Sequence, residues 1–203
     1  MTYRLAAAIA IAAAAPAAIA QAPQPLQQIQ QHLRTLDTMT ADFAQTDRNG
    51  RVLKGTLTMK RPGRVRFQYE KGVPLLIVGD GKALTMIDYS VKQVSRWPIG
   101  SSPLSVLVDP GRDIAGFAKL VPSGDPNTLL IEGKDRKHPE FGTITIAFQQ
   151  APGAPAGLRL AGWSVLDAQG NRSAVRLSNQ RFGVAVGDQT FRWSDPRSRG
   201  PRS

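Results

Sequence analysis

The sequence has no cysteine, two histidines, few aromatic residues (6%) and, beyond its N-terminal stretch, no apolar run approaching the ~20 residues that span a bilayer. Each absence removes a class of function. Without cysteine there is no disulfide to staple the fold, no thiol nucleophile, and no residue to carry the lipid of a bacterial lipoprotein. His32 falls on what reads as the solvated side of a helix and His138 in a Lys-rich loop, so a Ser-His-Asp arrangement lacks a good base. No metal-ligand spacing occurs, and Gly79-Asp80-Gly81 lies between strands rather than ahead of a helix, which excludes a phosphate-cradling loop. Asp80, Asp88 and Asp109 stand at turns or strand ends, where turn formation explains them. Acidic residues are also scarce, 15 against 26 Lys and Arg, for a formal charge of +11. That balance suits an anionic lipid surface or an acidic protein, although charges spread along the whole chain are equally a solvated Arg-rich surface.

What is present begins with MTYRLAAAIAIAAAAPAAIAQ: one cation at Arg4, an apolar run from Leu5 to Ala15, and a small-x-small site at Ala18-Ile19-Ala20. These are the parts of a secretory signal peptide, with cleavage expected between Ala20 and Gln21 and a mature protein released rather than tethered. Export argues against nucleic acid as a partner. The expected organisation is a signal peptide over 1–20, a single domain over 21–195 and a basic, disordered tail over 196–203.

Between Gly55 and Trp97 apolar residues fall at every second position, and the runs end at Pro62-Gly63, Lys71-Gly72 and Asp80-Gly81-Lys82. Four or five short strands forming an antiparallel meander are predicted. Val65, Phe67 and Tyr69 share one face while Arg64, Arg66 and Gln68 share the other. Leu75-Leu76-Ile77-Val78 is apolar on both faces and predicts cover on both. Strands are also expected over 41–45 and 53–59, and then over 119–121, 127–132, 143–148, 158–166 and 174–178. QQAPGAPAG, residues 149–157, reads as a flexible connection.

Two helical regions interrupt this pattern. Pro25 suits a first helical turn, and Leu26, Ile29, Leu33 and Leu36 recur at three- and four-residue spacing, with the glutamines on the wet side. Ser102-Pro103 predicts the start of a short helix with Leu104, Leu107 and Val108 on one side, followed by a turn or two in 113–118 with Ile114 and Phe117 inward. A curved apolar sheet face with helices above it is compatible with a greasy cavity under a lid, or with helices that simply fill a core; periodicity does not separate the two.

Particular residues carry a resemblance. Phe43 and Gln45, the run Lys60-Arg61-Pro62-Gly63-Arg64 followed by Arg66-Phe67 and Tyr69, then Val78-Gly79-Asp80-Gly81-Lys82, Gln93-Val94, Ser102-Pro103-Leu104 and Phe191 resemble, in order and spacing, the periplasmic outer-membrane lipoprotein carrier family, LolA. The absent cysteine argues against LolB, the family's lipoprotein receptor of similar fold. The resemblance implies a mainly β fold with some α: an unclosed, curved antiparallel half-barrel covered by lid helices. It implies a monomeric periplasmic carrier without cofactor or enzymatic activity, which takes lipoprotein acyl chains from an inner-membrane ABC-type releasing complex and delivers them to the outer membrane or its receptor. Arg61 matches the arginine that latches the lid by hydrogen bonds to its backbone carbonyls. Leu57, Met59, Val65, Phe67, Tyr69, Leu104, Leu107 and Phe117 are the expected acyl-chain lining, with Val65 standing where an aromatic is usual. Alternatives of other classes are an envelope-stress sensor on the same half-barrel, binding a lipidated ligand, and an enzyme acting on lipid.

Overall fold

The computed structural model describes residues 24–99, 105–109, 111, 113–134 and 142–197. The expected signal peptide, Leu104, His138 and most of the basic tail lie outside them. Helix α1 (Gln24–Thr35) leads into strands β1 (Thr38–Thr46), β2 (Val52–Lys60), β3 (Arg64–Tyr69), β4 (Leu75–Asp80), β5 (Ala83–Asp88) and β6 (Gln93–Pro98). Two single-turn helices follow, α2 (Ser105–Val108) and α3 (Ile114–Phe117), then β7 (Ala118–Val121), β8 (Thr128–Lys134), β9 (Thr143–Gln150), β10 (Leu158–Leu166) and β11 (Arg172–Phe182).

The strands form one 11-stranded sheet in the order β6-β5-β4-β3-β2-β1-β11-β10-β9-β8-β7, with every pair antiparallel. Two runs of hairpins meet where β1 pairs with β11, the one junction between strands distant in sequence. The end strands β6 and β7 do not pair with each other, so the half-barrel is unclosed. β11 runs well beyond the expected 174–178, because β1 supplies ladder partners from Thr46 back to Met39 across an irregularity at Thr40/Asp42.

Alternation assigns the two faces. Leu57, Met59, Val65 and Phe67 point to the concave side, where they join Leu160, Ile144, Ile146 and Phe148 from the other half of the sheet in one apolar core. α1 lays Leu26, Ile29 and Leu33 on that core, and Leu36 follows just past its end. Asp113 caps α3, its side chain accepting a hydrogen bond from the Ala115 N–H at 3.1 Å. On the convex side Leu76, Val78 and Ile87 form a second cluster beneath Phe191 and Trp193, so β4 is covered on both faces, as its uninterrupted apolar run requires.

Two expectations are corrected. His32 is not on the wet side of α1; its exposure is 0%. It lies three residues past Ile29 and four before Leu36, which widens the apolar stripe to include it. Residues 149–157 are not an open connection. β9 continues to Gln150, and Pro155–Gly157 forms a 3-10 turn closed by the Ala151 N–H donating to the Gly157 carbonyl at 2.8 Å. Its free carbonyls become acceptors for α1.

Candidate functional site

The concave core retains a small apolar cavity of about 20 Å³, no more than a water molecule occupies. Its floor is Leu57, Met59, Val65 and Phe67 from β2 and β3, with Leu84 from β5 and Leu160 and Trp163 from β10; α2 lowers Leu107 and Val108 onto it. Five of the expected lining residues, Leu57, Met59, Val65, Phe67 and Leu107, therefore meet around one void. Tyr69 does not reach it: two residues along from Phe67, its ring meets Phe43 and its hydroxyl donates to Gln45 Oε1 at 2.6 Å. Burial pushes the Tyr69 phenol up to about 12, so it remains a neutral donor. Phe117 is also elsewhere, lying over Gly133, where a Cβ would collide with its ring. Leu84, Val108, Leu160 and Trp163 were not anticipated. Trp163 closes a row of edge-to-face rings, Tyr69–Phe43–Phe67–Trp163, with centroids 5.1, 5.4 and 6.1 Å apart.

The cover is tied at the C-terminal end of α1 and along its middle and last turns. At its C-terminal end the Arg61 guanidinium, held in the turn between β2 and β3, donates from Nη2 to the Leu33 carbonyl at 2.7 Å and from Nε to the Leu36 carbonyl at 3.1 Å. The last carbonyls of a helix have no partner within it and carry the negative end of its dipole, so a cation with a planar set of donors fits there. The third nitrogen, Nη1, is buried without a partner. Burial lowers the Arg61 pKa, opposed by the charge of Asp109.

At the other tie His32 Nδ1 donates to the Pro155 carbonyl at 2.8 Å, and Gln28 Nε2 donates to the Ala156 carbonyl at 3.0 Å. The imidazole packs edge-on to Phe148 and Phe182 at 5.6 and 6.5 Å, leaving Nε2 buried without a partner. Desolvation lowers the His32 pKa, and the nearby Arg61 charge adds to the effect, although the bond to Pro155 opposes it. The neutral ring donates through Nδ1, and the backbone of Leu158, which like Pro155 favours the charged ring, does not offset the burial. Gln30 Oε1 accepts from the Ile114 N–H at 2.9 Å, which joins α1 to α3.

The arrangement offers apolar shelter rather than reactive groups. Among the described residues no three His, Asp or Glu side chains gather as metal ligands would, and no helix is long and apolar enough to cross a membrane.

The family described as outer membrane lipoprotein carrier protein LolA matches residues 34–194. An outer-membrane lipoprotein carrier protein of Chromobacterium violaceum is 30% identical over 169 residues, covering 79% of this chain and 78% of that one. A protein of the same description from Xanthomonas campestris pv. campestris (strain B100) is 31% identical over 182 residues, covering 83% of each. Among solved structures, an uncharacterized conserved protein from Thermus thermophilus superposes with a TM-score of 0.51 at 12% identity, over 84% of this chain and 93% of that one, a likeness of fold alone.

Proposed function

Since the chain belongs to the LolA family of outer membrane lipoprotein carrier proteins, we propose that it shelters the acyl chains of lipoproteins beneath α1, α2 and α3 and carries them from the inner to the outer membrane. The observation that carries this reading is an apolar concave face roofed by helices whose ties are few hydrogen bonds to backbone carbonyls, over a cavity shrunk to about 20 Å³. Such a cavity holds no acyl chain, so loading requires the roof to lift. Each buried methylene is worth about 0.8 kcal/mol, enough to draw acyl chains into the opened face. Restoring the Arg61 ties and the helix packing opposes retention, because cargo binds only the fraction of molecules that is open.

In this reading Arg61 is the latch. Leu57, Met59, Val65, Phe67 and Leu107 receive the chains first, with Tyr69 and Phe117 reached as the roof moves. Cleavage after Ala20 releases the protein as a periplasmic monomer, which takes cargo from an ABC-type releasing complex and surrenders it to the outer membrane or a receptor there. The apolar site supplies no acid, base or nucleophile for an enzymatic step.

The test is release from spheroplasts. The purified processed protein is added, membranes are pelleted, and the supernatant is probed for triacylated lipoprotein bound to it. A soluble complex is expected. An empty protein beside a control carrier that loads would overturn transport and favour a regulatory domain that senses a lipidated ligand.

A further inference from the structure

Among the described residues the exposed large hydrophobic side chains are Val52, Tyr89, Val91 and Leu166. Exposed apolar residues scattered singly are ordinary, but these four are not scattered. Val52 opens β2, Leu166 closes β10, and Tyr89 and Val91 lie in the turn between β5 and β6. The ladders pair Thr46 with both Val52 and Ala174, Leu166 with Arg172, Gly55 with Tyr69, and Leu75 with Asp88. All four residues therefore stand on one rim of the half-barrel, the rim opposite the Arg61 turn.

That rim is also cationic. A cleft of about 390 Å³ between the β1–β2 and β10–β11 turns is lined by Arg48, Arg51 and Arg172, with Asp47 and Asp167. Lys54, Lys71 and Lys92 are exposed along the same edge. The carboxylates face their own backbone. Asp47 accepts from the Asn49 and Arg51 N–H groups at 2.9 Å, Asp167 from those of Gln169 and Asn171 at 2.9 and 2.8 Å, and Asp88 from that of Ser90 at 2.9 Å. Arg51 also bridges to Asp47 at 3.1 Å yet keeps 70% of its side chain exposed, and Arg172 reaches Ser164 Oγ at 3.4 Å. Among the described residues of this rim, Glu70, beside Lys71, is an exposed acid set against these cations.

We propose that this rim is a docking surface for an anionic lipid bilayer, the arginines pairing with headgroup phosphates while Val52, Leu166, Tyr89 and Val91 enter the headgroup region. Along this one rim the apolar side chains, Val52 and Leu166 at strand ends and Tyr89 and Val91 in a turn, alternate with cations, the pattern of shallow insertion into a charged interface and not the contiguous apolar patch of a protein contact. Guanidinium matches phosphate with paired donors, and nearby lysines add charge without fixed geometry.

The experiment is sedimentation of the processed protein with vesicles of phosphatidylethanolamine and phosphatidylglycerol, against vesicles of phosphatidylcholine. Binding to the anionic vesicles alone, weakened by salt, is expected. Arg48→Gln with Arg51→Gln and Arg172→Gln should lower partitioning about a hundredfold, roughly fivefold for each arginine. Val52→Ser with Leu166→Ser should lower it roughly tenfold with the charges intact. Arg48→Glu alone, a change in an exposed turn, gives the same reading if the triple variant does not fold. Equal binding to both vesicle types would overturn the proposal. So would an equal loss from Lys82→Gln with Arg159→Gln on the other rim, or capture by immobilised polyglutamate with no vesicle binding, which would assign the rim to an acidic protein.

Discussion

The concave face is covered by three helices that meet the sheet across a residual void; the convex face of β3–β5 is covered by one irregular segment, residues 186–193. The outer segment is gripped at several points. Lys60 donates to the Val186 carbonyl and to Asp188, both at 2.9 Å; Arg64 reaches Asp188 at 2.7 Å and stands 6.0 Å from the Phe191 ring centre; Arg66 donates to the carbonyls of Thr190 and Arg192 at 3.1 and 3.0 Å. The inner cover has Arg61 at the C-terminal end of α1 and His32 with Gln28 on its middle and last turns, with a buried nitrogen of Arg61 and another of His32 unpartnered. One basic run thus serves both faces. Lys60, Arg64 and Arg66 hold the strap while Arg61, in the turn, holds the roof. The two covers have similar numbers of hydrogen bonds but differ in kind: the strap's are made largely by solvated side chains, whereas the roof's are buried and leave an Arg61 donor unmet, which costs free energy in the closed state.

The comparison breaks most severely if the shared floor of the inner cover is removed. Phe148 is fully buried and supports His32. Phe148→Ala should destabilise the protein by about 3–5 kcal/mol through lost burial and the cavity left behind, measured by urea denaturation. Exchange protection should fall first in α1, with the strap keeping its protection up to global unfolding.

Next in size is the latch. Arg61→Leu removes two charge-assisted hydrogen bonds to α1, each worth roughly 1.5–3 kcal/mol net, and also removes a desolvated cation, so the folded protein should survive. The closed state loses its advantage and cargo is held about 10–100-fold more tightly: loading from spheroplasts persists and transfer to outer membranes fails. Normal transfer by this variant would remove the latch role.

Much of this was legible in the sequence. The two-residue period fixed which side chains share a face from Val65 to Tyr69, and the doubly apolar β4 announced cover on both sides. The cavity was only half legible. Leu84 lies in ALTMID, where Ala83, Leu84 and Thr85 are all buried and alternation assigns no face. Trp163 follows an irregularity between Leu160 and Gly162 that resets the alternation along β10. Tyr69 and Phe117 have the right chemistry but are claimed by Phe43 and Gly133, contacts between residues far apart in sequence. His32 was misjudged by residue type, since a polar ring on an apolar stripe is recognised as buried only once its acceptor, the Pro155 carbonyl, comes into view.

Acid should separate the two covers. His32 titrates at the ordinary 6.5 in the unfolded chain and lower in the fold, because burial opposes its charge. The unfolded state therefore binds the extra proton first. Stability is complete above pH 6.5 and falls as the pH drops below it, by up to about 1.4 kcal/mol per pH unit until the folded pKa is reached. His32→Phe should flatten that slope. Asp188 shifts in the same direction but in a lower window: the hydrogen bond from Lys60 and the charge of Arg64 hold its carboxyl below the ordinary 3.8, so its contribution is present above 3.8 and is lost only as the pH falls below that. Near pH 5, hydrogen exchange should quicken in α1 and stay slow in β3–β5 under the strap.

The smallest effect sharpens the contrast from the convex side. Asp188 joins Lys60 and Arg64 in a bridge whose acid is 68% exposed, and water screens such a pair so that its contribution is slight. Asp188→Asn should leave the denaturation midpoint within measurement scatter at moderate salt, because Phe191 and Trp193 still cover Leu76, Val78 and Ile87, and Arg66 still holds two carbonyls. Cargo loading and transfer should not change. If this substitution altered transfer as Arg61→Leu does, the two covers would be coupled through the Lys60–Arg66 run, and the strap would belong to the release mechanism.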